Sequence, residues 1–174
     1  MNDEIIIPQS KKKIILLILG SLAFVVLGFC LYFEIIPHNE RFNPTFIKIT
    51  GIVAILFFGL TFIIGISRMI KPKPALIINS KGIVDNSTAT SVGFIKWNDI
   101  TGFQQVKIAS NNFLVVHVKN PNSYIDNSKN MLTKQSLKYN HNNFNSPIAI
   151  GAAVISLKLQ EIEKLLMEAS DKFS

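Results

Sequence analysis

Cysteine, tryptophan, histidine and charge are all scarce in this chain of 174 residues. Its one cysteine, Cys30, excludes an internal disulfide framework and a zinc site built on cysteines. Charged residues make up 17% of the chain, where a soluble domain carries about 25%. The three histidines, His38, His117 and His141, are scattered, and none has metal-ligand spacing such as H-E-x-x-H. There is no G-x-S-x-G elbow for a nucleophilic serine and no G-x-x-x-x-G-K loop for phosphate. No acid–base pair is evident either, so no enzyme, no cofactor and no metal are expected.

What is present is apolar. Hydrophobic residues reach 48%, and the charge deficit is concentrated in the first seventy residues. Residues 14–33, IILLILGSLAFVVLGFCLYF, form an uncharged run of twenty. At about 1.5 Å per helical residue such a run covers about 30 Å, the thickness of the hydrocarbon layer. A second uncharged run of eighteen, ITGIVAILFFGLTFIIGI, begins at Ile49 and defines a second span over 49–67. A secretory signal fits the first run poorly: its h-region would be too long, and no A-x-A site follows. VLGFC resembles a lipoprotein box ending at Cys30, but Phe29 is bulky where a small residue is needed. Cys30 is therefore expected to be an inert residue packed in the membrane.

Lys and Arg set the expected orientation. Lys11, Lys12 and Lys13 precede the first span, within an N-terminal segment 1–13, and Arg68, Lys71 and Lys73 follow the second. The loop 34–48 balances Arg41 and Lys48 against Glu34 and Glu40. Both termini are thus expected in the cytoplasm and the loop outside. Neither span holds an ionisable residue, which argues against an ion path of their own making. Gly51, Gly59 and Gly65 allow close helix packing, within the hairpin or between copies.

Lys71-Pro72-Lys73-Pro74 is a stiff linker, 68–74, because proline ends a helix. From Ala75 to residue 173 the pattern predicts a cytoplasmic domain of short strands cut by turns. ALII, IVDN, VGFIKW, ITGFQQVKIA and FLVVHVK read as strands, with NSKG and Ser110-Asn111-Asn112 as turns. Two-residue alternation puts Ile100, Val106 and Ile108 on one face, and Leu114, Val116 and Val118 on a core face with His117 turned away. Connections this short predict an antiparallel meander. Residues 120–145 hold eight Asn and read as an insertion with an irregular helix in its middle. SPIAI is a late strand. Ile155, Leu159, Ile162, Leu166, Ala169 and Phe173 follow helical spacing, so a final amphipathic helix is expected from about Ile155 to Lys172.

ALIINSKGIVDNS, FIKWNDITGF and SPIAI before LQEIEKLL, with KKKIILLILGSLAFVVLG ahead of them, carry a resemblance. The chain resembles a family of small bacterial inner-membrane proteins that pair two spans with one pleckstrin-homology-like (PH-like) domain. The resemblance implies a membrane-anchored α+β fold. A two-helix transmembrane hairpin would precede a PH-like antiparallel β-barrel or sandwich, capped by the C-terminal amphipathic helix. It implies no activity. Phosphoinositide-binding PH domains place several cations on the first hairpin; here that hairpin offers Lys81 alone, so inositol-phosphate binding does not carry over.

The candidate site is Trp97-Asn98-Asp99. One reading makes Trp97 a core residue at a structural corner, with Asn98 or Asp99 satisfying turn amides. The other makes the three a partner-binding platform. Formal charge is +7, of which +6 lies in residues 68–174. Lys96, Lys107, Lys119, Lys129, Lys134 and Lys138 form a scattered, solvated set or a basic surface facing anionic lipid. Nucleic acid is not expected, since Phe113 beside Lys107 and Lys119 is the only aromatic interleaving. The expected function is a binding or scaffold module, integral to the bilayer, that engages a protein or peptide partner or its own copies. The alternative is an accessory or protective subunit of a membrane system, acting through its spans.

Overall fold

The computed structural model describes residues 4–35, 43–108 and 111–173, without the side chains of Ile108 and Asn111. The chain divides into two compact units: Lys11–Pro72, and Met1–Ser10 together with Lys73–Ser174.

The first unit is a helical hairpin of α1 (Lys11–Tyr32) and α2 (Pro44–Ile70). Both helices are long and apolar enough to cross a membrane. Each buries little of itself: Ile14, Ser21 and Gly28 in α1, and Ile47, Gly51 and Gly65 in α2. Large apolar side chains such as Leu16, Leu56 and Phe57 are 73%, 69% and 64% exposed. A core helix of a water-soluble protein would cover them. Helix α2 starts five residues before the apolar run because Asn43 and Pro44 start it. The Asn43 Oδ1 accepts from the Thr45 N–H at 2.9 Å, and Pro44 takes a first-turn position whose N–H would be unsatisfied. Glycine draws the helices together. A Cβ on Gly51 would stand 2.7 Å from the Gly28 carbonyl oxygen, and one on Gly65 2.6 Å from Ile18. Gly59 meets nothing within 4 Å. Glu34 and Lys48 pair at 2.9 Å. Glu40, Arg41 and His38 lie outside the described residues.

The second unit holds β1 (Ile5–Ile7), β2 (Leu76–Asn79), β3 (Gly82–Asp85), β4 (Gly93–Lys96), β5 (Ile100–Ile108), β6 (Asn111–Val118) and β7 (Ile148–Gly151). All pairings are antiparallel, in a sheet β1-β2-β3-β4 and a sheet β5-β6-β7. The expected barrel is not closed: no ladder joins the two sheets among the described residues. A 3-10 turn, Trp97–Asp99, carries the chain from one to the other. One apolar core lies between them, from Leu76, Ile83 and Ile95 of the first sheet to Leu114, Val116 and Ile150 of the second. Helix α5 (Leu159–Phe173) lays Leu159, Ile162, Leu166 and Ala169 into that core. It begins four residues later than the apolar spacing suggests, because Ile155 is spent in a bridge to Gln9.

Strand β1 was not legible in the sequence. It lies before the hairpin, and Ile5, Ile6 and Ile7 pair with Ile78, Ile77 and Leu76 after it. The segment stays tied to the sheet unit as far as α1. The Ala75 N–H donates to the Ile7 carbonyl at 2.8 Å, and the Ser10 N–H to the Val154 carbonyl at 2.7 Å. The sheet is therefore split in sequence, with the whole hairpin inserted between its first and second strands.

Two further expectations change. The β5–β6 register shifts between Ile100 and Gly102. That bulge moves the alternation by one, so Ile100 and Val106 fall on opposite faces and Phe103 packs on the core with Ile100. Residues 120–145 form two helices, α3 (Pro121–Asp126) and α4 (Met131–Phe144), rather than one irregular helix. Asn130 caps α4, accepting from the Thr133 N–H at 2.8 Å, and Asn145 ends it in the left-handed conformation at φ 56°. Asparagine thus marks the boundaries of α4.

Candidate functional sites

Strand β4 alternates buried Gly93 and Ile95 with exposed Phe94 and Lys96, and so delivers Trp97 inward. Trp97 is 2% exposed. Its indole N–H donates to the Asn79 carbonyl at 2.7 Å, and its ring lies 6.4 Å from that of Phe173 near the end of α5. Asn79 in turn accepts from the Lys81 and Gly82 N–H groups with its side chain. Trp97 thus links the β2–β3 turn, the β4–β5 corner and the final helix. Gly82 is required there, since a Cβ would overlap the Ile95 carbonyl oxygen.

Asn98 is exposed. Asp99 is half-buried, and its carboxylate accepts from the Tyr124 hydroxyl at 2.8 Å. It thus serves α3 instead of a turn amide; the turn's own carbonyl at Asp99 receives the Lys119 N–H at 2.8 Å. Burial first, then the Asp99 bond and charge, push the Tyr124 hydroxyl well above the usual tyrosine range. Tyr124 therefore keeps its proton and acts as a strut between α3 and the corner.

Of the cations, Lys11, Lys12 and Lys13 open α1, Arg68 lies in the last turn of α2, and Lys71 and Lys73 are exposed just beyond it. Lys134 pairs with Asp126 at 3.1 Å. Lys96, Lys107, Lys119, Lys129 and Lys138 are exposed. His117 bonds Gln104 at 3.0 Å on the face away from the main core, and His141 lies in α4. No group of three or more metal-ligating side chains occurs among the described residues.

A site that sequence reasoning missed lies where the 86–92 connection meets α4 and β7. A cavity of about 120 Å³ opens there. Asp85, the last residue of β3, lines it and is only 2% exposed. Its carboxylate accepts from the Ser87 N–H at 2.8 Å and makes no ion pair among the described residues. Burial pushes this carboxyl above the usual Asp range, against the pull of bonds from Ser87 and Ser91. Thr88, Thr90, Ser91, Ser136 and Asn140 also line the cavity. The Thr90 and Ser136 hydroxyls meet at 3.0 Å, tying the connection to α4. The available signal was S-T-A-T-S at 87–91, whose four hydroxyls directly follow Asp85-Asn86.

The fold defines an α+β protein with two long apolar helices and two antiparallel sheets. Comparison of the chain with protein-family models, with curated proteins and with solved structures finds no match.

Proposed function

We propose that the protein is an integral membrane protein of the bacterial inner membrane that presents a cytoplasmic PH-like binding domain to a protein or peptide partner, or to its own copies. The observation that carries this reading is the split sheet. Three residues separate strand β1 from α1, and five separate α2 from β2. Each connection spans at most about 20 Å. On this reading one folded sheet holds the start of α1 and the end of α2 on the same side of the bilayer. The basic residues at both places favour the cytoplasmic side. The PH-like reading draws on strands arranged four and three with a terminal helix over the core. Helix α5 fills the space against the sheets, so an open strand edge is the better docking surface.

The test is crosslinking in native membranes followed by mass spectrometry, on two forms of the chain. One is intact; in the other an unrelated two-span hairpin replaces Lys11–Pro72. The same partner captured by both forms supports the sheet unit as the binding module. A partner captured only by the intact form supports an accessory subunit acting through its spans.

A further inference from the structure

Asp85 presents an energetic problem that its surroundings only partly solve. A carboxylate removed from water requires a counter-charge or a full set of donors. Backbone and serine donors reach Asp85, but no cation pairs with it among the described residues. The Lys129 ammonium lies beside Gly93, the residue opposite Asp85 in the β3–β4 ladder, yet makes no ion pair with it. Among the described residues, Asp85 is also the only ionisable one lining the cavity.

The two walls of the cavity differ in chemistry. The polar wall carries hydroxyls already paired with one another, Thr88 with Ser91 and Thr90 with Ser136. Ser91 is saturated, since it also accepts the Thr88 N–H at 2.9 Å and bonds Asp85, but Thr88, Thr90 and Ser136 each keep a lone pair, so this wall can accept hydrogen bonds. Val92, Phe113, Leu137 and Ile148 supply an apolar wall. Asp85 is nearly fully buried, whereas Thr88, Thr90, Ser91, Ser136 and Asn140 are half-buried. Asp85 is therefore the most buried of the polar residues lining the cavity. An anion would meet Asp85, and a neutral apolar ligand would leave it uncompensated. A bare alkali ion would leave most of about 120 Å³ unfilled. A primary ammonium offers three N–H donors to carboxylate and hydroxyl oxygens, and a short alkyl chain covers the apolar wall.

We propose that this cavity binds a primary ammonium group on a short aliphatic chain, with Asp85 as its counter-ion. The inference stands apart from the partner reading. The group can belong to a free amine or to a lysine side chain, and the same chemistry recognises both.

The test uses the full chain in detergent micelles, with Trp97 fluorescence reporting thermal unfolding and calorimetry reporting binding. The probes are n-butylammonium, tetramethylammonium and potassium chlorides at equal ionic strength, and Nα-acetyl-lysine methylamide. Butylammonium is expected to raise the midpoint and the other two cations are not. Asp85→Asn keeps the acceptor for the Ser87 N–H, and should stay folded while binding butylammonium at least tenfold more weakly. Ser136→Met, which fills part of the cavity, should weaken it likewise. Lysine methylamide binding as tightly as butylammonium assigns the site to a lysine side chain; butylammonium alone assigns it to a free amine. The proposal is overturned by no shift with either amine, by an equal shift with potassium or tetramethylammonium, or by undiminished binding in folded Asp85→Asn.

Discussion

Trp97 concentrates several kinds of interaction in one side chain: buried ring area, an indole hydrogen bond and a contact with α5. Trp97→Ala should cost about 3–5 kcal/mol, the range for emptying a large aromatic from a core. Trp97→Phe keeps a ring in the core and should cost less, and that cost should come chiefly from the Asn79 carbonyl losing its donor. Denaturant titration of the micellar protein, followed by circular dichroism, measures both. A folded Trp97→Ala variant that had lost only a partner would overturn the structural role. Tyr124→Phe removes a hydrogen bond to a half-buried carboxylate, and about 1–2 kcal/mol should go with it.

Asp85 gives a pH dependence whose sign is fixed. Its folded-state pKa lies above its unfolded value, so between the two the folded protein binds more protons than the unfolded chain. Stability should fall as pH rises from the ordinary Asp range through the raised value, and remain lower above it. Asp85→Asn should therefore be the more stable protein at neutral pH and should lose this part of the pH profile. Parallel urea titrations at acid and neutral pH decide it; a variant weaker at both would show that the carboxylate is a net stabiliser.

At the scale of elements, the sequence was most readable where one period persists. The two apolar runs, the alternation through Gly93–Lys96 and the spacing from Leu159 to Phe173 each appear as the element they suggest. Elements that depend on distant partners were hidden. Ile5–Ile7 is too short to show alternation, and its partners lie about seventy residues away. The bulge after Ile100 has no pattern of its own, since Ile-Thr-Gly-Phe reads as continuous strand. The Asp85 cavity was illegible for a related reason: its walls come from four segments that only the fold brings together. Strand β1 predicts a contrast within one tripeptide. Ile7 is 2% exposed and Ile6 57%, so Ile7→Ala should cost about 2–4 kcal/mol and Ile6→Ala under about 0.5 kcal/mol. Equal costs would show that β1 does not add to the sheet. The glycines of the hairpin offer a second contrast. Gly51→Val places a side chain against the Gly28 backbone and should loosen the helix pair by about 1–3 kcal/mol. Gly59→Ala meets open space and should be neutral or slightly favourable. Far-UV circular dichroism during denaturation by sodium dodecyl sulfate reads both.

For the whole molecule, the proposed topology predicts that reporter fusions at Ser174 and at Met1 are both active in the cytoplasm. Activity of either only outside would overturn the orientation. The split sheet bears on how any isolated domain should be made. A fragment beginning at Ala75 lacks β1 and leaves the β2 edge bare, whereas Met1–Ser10 joined to Lys73–Ser174 by a short flexible linker retains the strand. The first fragment should be the less stable and the more prone to associate.

The same insertion sets the order of events during synthesis. Strand β1 leaves the ribosome first, but its partner strand emerges only after both apolar helices have been made. Until then the three isoleucines have nothing to pair with. On the two-span reading, a hairpin that fails to return to its starting side leaves β1 and β2 separated by the bilayer. Completion of the sheet then requires that the chain has crossed and come back, and a chain with one span across carries an unfinished edge.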